Sequence, residues 1–94
     1  MIINFFNSKT KEFYATGFSK RIPANIQKAA IRKLDMLDAA EKIEDLKAPP
    51  ANRLEALKGD LKGFYSIRVN DRYRIVFKFK NRNAYDVYIT DYHN

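Results

Sequence analysis

The chain has 94 residues, 46% of them hydrophobic and 14% aromatic, with 3 glycines, 3 prolines and no cysteine. That composition describes one small domain, residues 1–94, too apolar for a disordered chain and without disulfides or thiolate metal sites. The net charge of +7 with a single histidine disfavours a structural zinc site and favours a phosphate-rich partner.

The opening "MIINFFNSKT" lacks a basic segment followed by a long apolar run, so no signal peptide is expected. No stretch approaches the roughly 18 consecutive apolar residues of a membrane span, and a cytoplasmic protein away from membranes is expected. Within that opening, Ile2-Ile3-Asn4-Phe5-Phe6 reads as a first strand bounded by Asn7-Ser8. Ser8 can cap a short helix with Phe13 and Tyr14 facing inward, and Gly17 ends it. Pro23 is placed for a second helix start. Ile26, Ala30, Leu34 and Leu37 then recur at helical spacing, with Lys28, Arg32, Lys33, Asp35 and Asp38 mostly off that stripe. This predicts an amphipathic helix that covers a sheet, and Pro49-Pro50 stops whatever helix remains.

From residue 53 the period becomes two. Tyr65, Ile67 and Val69 alternate with Ser66 and Arg68, Tyr73, Ile75, Phe77 and Phe79 with Arg74, Val76 and Lys78, and Tyr85, Val87 and Ile89 with Asp86, Tyr88 and Thr90. An antiparallel meander with one buried face follows. The expected fold is α+β: a small curved antiparallel sheet of the N-terminal strand and the C-terminal meander, with two helices on one face.

The first hairpin can be read to its register. A two-residue Asn70-Asp71 turn would put Arg74 on the core face beside Ile67. A three-residue loop, Asn70-Asp71-Arg72, pairs Val69 with Tyr73, Ile67 with Ile75 and Tyr65 with Phe77. A slip of one residue turns every side chain over, so the burial pattern selects the longer loop. Such loops favour glycine, which is absent here. In this register Arg68 and Arg74 face each other on the polar side of the sheet. Like charges directly opposite are destabilising, so an anion is expected between them.

The charge is concentrated in the same region. Residues 53–82 carry 9 basic and 3 acidic side chains, whereas residues 83–94 carry two acids and no lysine or arginine. No Gly-rich phosphate loop, HExxH or Gly-x-Ser-x-Gly occurs, and "KGDLKG" lacks the phosphate-loop spacing. What remains is a cationic face, the Lys58-Gly59-Asp60 turn and a Tyr92-His93 tail. Metal-free RNA cleavage needs a base for the 2′-hydroxyl, cations for the phosphorane and an acid for the departing 5′-oxygen. Histidine, with an ordinary pKa of about 6.5, suits either proton transfer. Lysine and arginine supply the charge stabilisation, and tyrosine can stack a base. On residue type alone a lone histidine such as His93 is more often an idle surface side chain, and a tyrosine such as Tyr92 more often a packing residue.

The order and spacing of "LDMLDAA", "PPANRLEALKGD", "YSIRVNDRYRIVF" and the terminal "DYH" resemble the HigB branch of the RelE/ParE toxin superfamily over nearly the whole chain. The resemblance implies a RelE-like fold and a ribosome-dependent mRNA interferase. Such an enzyme cuts messenger RNA in the ribosomal A site without metal or cofactor and is neutralised by a HigA-type helix-turn-helix antitoxin. It implies catalytic positions at Lys58, Arg74, Tyr92 and His93. Glu55 departs from the pattern, since some relatives carry histidine there; a carboxylate could serve as base if burial raised its pKa, or it could repel RNA. Arg53, Lys62, Arg68, Arg72 and Lys78 are then expected to contact RNA. A ParE-like topoisomerase poison and a non-catalytic RNA- or ribosome-binding module are the rival readings of the same basic surface.

Overall fold

The computed structural model of the chain describes residues 1–91; the expectations for Tyr92 and His93 lie outside the described residues. Asn7, in extended conformation, accepts the Thr10 N–H at 2.9 Å and starts α1, Ser8–Thr16. The cap is therefore one residue earlier than expected, because Asn7 has the non-helical backbone a cap requires and Ser8 is already helical. Gly17 takes φ 77° and donates its N–H to the Phe13 carbonyl, the left-handed exit that glycine adopts at little cost. Pro23 precedes a 3₁₀ turn, Ala24–Ile26, that leads directly into α2, Gln27–Ala39. Ile26, Ala30, Leu34 and Leu37 are all buried. Lys33, expected off the stripe, is buried with them; its long stem packs inward and its ammonium meets Asn52.

The sheet consists of β1 (Glu55–Ala56), β2 (Tyr65–Arg68), β3 (Tyr73–Lys80) and β4 (Asn83–Asp91), in that order and antiparallel throughout. The β2–β3 register pairs Tyr65 with Phe77, Ile67 with Ile75 and Arg68 with Arg74, as the burial argument predicts. The loop manages without glycine because Asn70 Oδ1 accepts the N–H groups of Arg72 and Tyr73, at 2.9 and 2.8 Å. Asparagine turns the chain with its own side chain.

Two features differ from simple alternation. The register of β3 against β4 shifts between Val76 and Lys78, and Asp86 takes φ 53°. This bulge adds a residue to β4, so Ala84 enters the core and Tyr85 pairs with Lys78 on the outer face. Tyr85 was expected on the inner face. The N-terminal segment also differs. It runs parallel to β4 and meets it at two isolated bridges, Ile2 with Ala84 and Phe5 with Val87. The bulge interrupts a continuous ladder between them. Asn4 fills the gap, accepting the Asp86 N–H at 2.8 Å and donating to its carboxylate at 3.0 Å.

The core lies between the two helices and the inner sheet face. Phe13, Leu34, Leu37, Ile67, Ile75, Phe77 and Val87 are fully buried there, each stabilising the fold by roughly 1.5–3 kcal/mol relative to exposure. Thr10 Oγ1 accepts the Ile89 N–H at 3.1 Å within this core, tying α1 to β4. No helix among the described residues is long and apolar enough to cross a membrane.

Candidate nucleic-acid interface

The outer face of the sheet sets its residues in rows fixed by the register. One row runs Arg68, Arg74, Thr90; the next runs Glu55, Ser66, Val76, Tyr88. Arg74 is the hub. Its side chain is 13% exposed; Nη2 donates to the Arg53 carbonyl at 2.7 Å and Nη1 lies 3.8 Å from Glu55 Oε1. One hydrogen bond and one ion pair, both to the segment 53–55, orient the planar guanidinium.

The Arg53 carbonyl is itself fixed from below. Arg53 takes φ 46° at the end of the Pro50–Asn52 turn, with its N–H on the Pro50 carbonyl at 3.1 Å. Asn52, fully buried, donates to the Leu46 and Ala48 carbonyls at 3.1 and 3.3 Å and accepts from Lys33 Nζ. Helix α2 thereby holds the segment that presents Arg53 and Glu55. Burial, and secondarily the charge of Arg32, lower the pKa of Lys33 below its ordinary value.

The two facing arginines do not wait for an external anion, as the sequence suggested. Arg68 is paired with Asp71 of the hairpin loop and Arg74 with Glu55, so each like charge is relieved from within the chain. The Asp71 side chain is 95% exposed. Exposed pairs of this kind contribute only about 0–1 kcal/mol, so a phosphate can replace the carboxylate. Arg53, Arg68, Asn70, Asp71 and Arg74 enclose a cleft of about 250 Å³. Beside it, Glu55, Ala56, Leu57, Lys58 and Leu61 line a second concavity of about 310 Å³. Glu55 thus touches Arg74 of the first cleft and borders the second with Lys58, which is exposed at the entrance to the Gly59–Leu61 turn.

The remaining expected residues are dispersed. Arg72 makes a two-pronged ion pair with Asp91, Nη2 to Oδ2 at 2.7 Å and Nε to the same oxygen at 3.2 Å. Hydrogen bonding to that carboxylate, then its charge, raises the pKa of Arg72 above its ordinary value. The pair fastens the end of β4 to the hairpin loop, and Arg72 does not line the cleft. Lys78 stands four residues beyond Arg74 on the same face, roughly 13 Å along the strand, with Nζ 3.6 Å from Asp86 and 5.0 Å from the Phe64 ring centroid. Lys62 is exposed and borders neither concavity. Asn52, Lys33 and Asp71 were not anticipated. Only Asp71 had a readable signal, as part of the turn next to an arginine. Among the described residues no cluster of histidine, cysteine, aspartate and glutamate could hold a metal ion.

Comparison with known proteins gives one answer. The family model of the RelE-like toxin HigB of type II toxin-antitoxin systems matches residues 3–93. The chain is 42% identical over 90 residues to toxin HigB-1 of Vibrio cholerae serotype O1, covering 95% of each chain. It is 33% identical over 93 residues to the endoribonuclease HigB of Proteus vulgaris, covering 99% of this chain and all of that one. Among solved structures, the fold is similar to the YoeB-YefM complex from Staphylococcus aureus, with TM-score 0.57 and 21% identity over all of this chain and 97% of that one. The YoeB dimer from the same organism gives TM-score 0.55 and 22% identity over 99% and 95%. With a family model spanning nearly the whole sequence and two named HigB relatives above 30% identity, the chain belongs to the HigB family of RelE-like toxins of type II toxin-antitoxin systems.

Proposed function

We propose that this toxin is a metal-independent endoribonuclease that cuts messenger RNA in the ribosomal A site and is neutralised by a HigA-type helix-turn-helix antitoxin. The observation that carries the reading is Arg74, held between the Arg53 carbonyl and Glu55 at the wall of a cleft lined by three arginines. The name of the Proteus vulgaris relative supports the nuclease reading. The YoeB-YefM complex supports an antitoxin partner, and the cytoplasm follows as the place where ribosomes work.

In the proposed reaction the ribose 2′-oxygen attacks the adjacent phosphorus and loses its proton to a base. The bond from phosphorus to the 5′-oxygen breaks, and that oxygen takes a proton from an acid. The products are a 2′,3′-cyclic phosphate and a 5′-hydroxyl. Arg74 and Lys58 stabilise the charge on the phosphorane. His93 carries the proton transfers and Tyr92 stacks a base of the substrate. Glu55 is half-exposed, so the burial asked of a carboxylate base is missing; we assign it the holding of Arg74 until a phosphate takes its place. Arg53 and Arg68 contact the RNA backbone.

The test is to incubate the purified toxin with translating ribosomes and map messenger RNA ends. Arg74→Ala, Lys58→Ala and His93→Ala are each expected to slow cleavage by 10² to 10³, as loss of a transition-state donor does. Cleavage that survives all three substitutions would remove the mechanism. Growth arrest without any cleavage would point to a topoisomerase as the target.

A further inference from the structure

A concavity larger than either the Arg74 cleft or the one beside it at Lys58 lies further along β3. It measures about 730 Å³ and is lined by Lys78, Lys80, Tyr85, Asp86, Asn4 and Gly63 among others. It exists because of the bulge. The extra residue in β4 turns Tyr85 from the core to the outer face, opposite Lys78. The two hydrogen bonds between Asn4 and Asp86 then hold the bulge in place. The Phe64 ring lies 5.0 Å from Lys78 Nζ.

The lining combines a partly exposed tyrosine ring, two ammonium groups and the Asp86 carboxylate. A nucleobase can stack on the ring, the lysines can take the adjoining phosphates, and the carboxylate can accept from an exocyclic amine of the base. Only unpaired RNA exposes its base faces in this way. Arg74, Lys78 and Lys80 share one face of β3, and Lys78 is roughly 13 Å from Arg74 along it, so one extended strand can lie in the cleft and the groove together. An acidic protein segment would satisfy the lysines but has no use for the ring.

We propose that this groove holds a segment of unpaired RNA outside the cut site, one base stacked on Tyr85 and its neighbouring phosphates on Lys78 and Lys80. The proposal rests on the RNA-cutting reading of the Arg74 cleft and extends it. The RNA comes either from the message flanking the cut codon or from the ribosome itself.

The test places p-benzoylphenylalanine at position 85 of the full chain, irradiates the toxin on programmed ribosomes and sequences the cross-linked product. A cross-link to RNA is expected, and its sequence tells message from ribosomal RNA. In the cleavage assay, Tyr85→Leu is expected to raise the toxin concentration for half-maximal rate about tenfold, and Tyr85→Phe to restore it. Arg74→Ala acts instead on the rate at saturation. A cross-link confined to protein, or a Tyr85→Leu titration superposable on wild type, would overturn the proposal while leaving the cleft reading intact. An RNA cross-link from a toxin that cleaves nothing would remove the nuclease reading and keep the groove.

Discussion

Lys33 is 6% exposed, and its ammonium meets an amide oxygen where a carboxylate would be the usual partner. Asn52 supplies the hydrogen bond that makes this tolerable, and the same amide satisfies two loop carbonyls. Asn52→Ala removes all three partners at once, and unsatisfied buried groups cost about 1–3 kcal/mol each before relaxation. We expect urea denaturation to show a loss of about 2–4 kcal/mol, part of it recovered by Lys33→Met in the same background. Lys33 also makes a pH prediction. Its folded pKa is lowered, so the unfolded chain binds more protons in the window between that value and the ordinary lysine range. Stability contributed by this site therefore rises with pH through that window. Thermal unfolding of Lys33→Met beside wild type should show the rise only in wild type. None of this was readable from one sequence, because a lysine at the margin of an apolar stripe looks solvated and nothing marks Asn52 as its partner.

At the level of elements, the two hairpins solve the same problem differently. The β2–β3 loop has no positive φ and is closed by the Asn70 side chain. The β3–β4 turn puts Asn81 and Arg82 at φ 52° and 69°, the two left-handed positions of the tight hairpin turn. Arginine is a poor resident there, since a Cβ in that region costs roughly 1–2 kcal/mol. Arg82→Gly should raise stability by roughly 0.5–1 kcal/mol in thermal unfolding; a loss would mean that the exposed Arg82–Glu41 contact at 3.9 Å outweighs the backbone. The helices and the β2–β3 register were legible because apolar spacing and burial agree, from Ile26 to Leu37 and from Ile67 to Ile75. The bulge was not, since straight alternation put Tyr85, Val87 and Ile89 on one face. One left-handed residue, Asp86, breaks the period with no glycine to announce it.

Across the molecule, the positive charge gathers on the outer sheet face, and the proposed binding to ribosomes should weaken steeply as salt rises because phosphate contacts release counterions. Each lost contact to single-stranded RNA lowers the slope of log K against log salt by about 0.7. Arg68→Gln and Lys58→Gln are expected to do so in filter-binding titrations, and Arg72→Gln is not, because Arg72 lies outside the cleft and is held by both oxygens of Asp91. An equal slope change from Arg72→Gln would mean that the ion pair opens on RNA. The sequence indicated the sign and the region of this charge. It could not show that Glu55 and Asp71 neutralise Arg74 and Arg68 in the unbound state, since ion pairs depend on loop geometry.

Among the described residues, 1–6 join the sheet through β4, by way of the Ala84 and Val87 bridges, and Ala84, Val87 and Ile89 complete the packing over α1 and α2. The beginning of the chain must therefore wait for residues 83–91 to emerge during synthesis before its own place exists. The first residues made are thus among the last to find their place in the sheet.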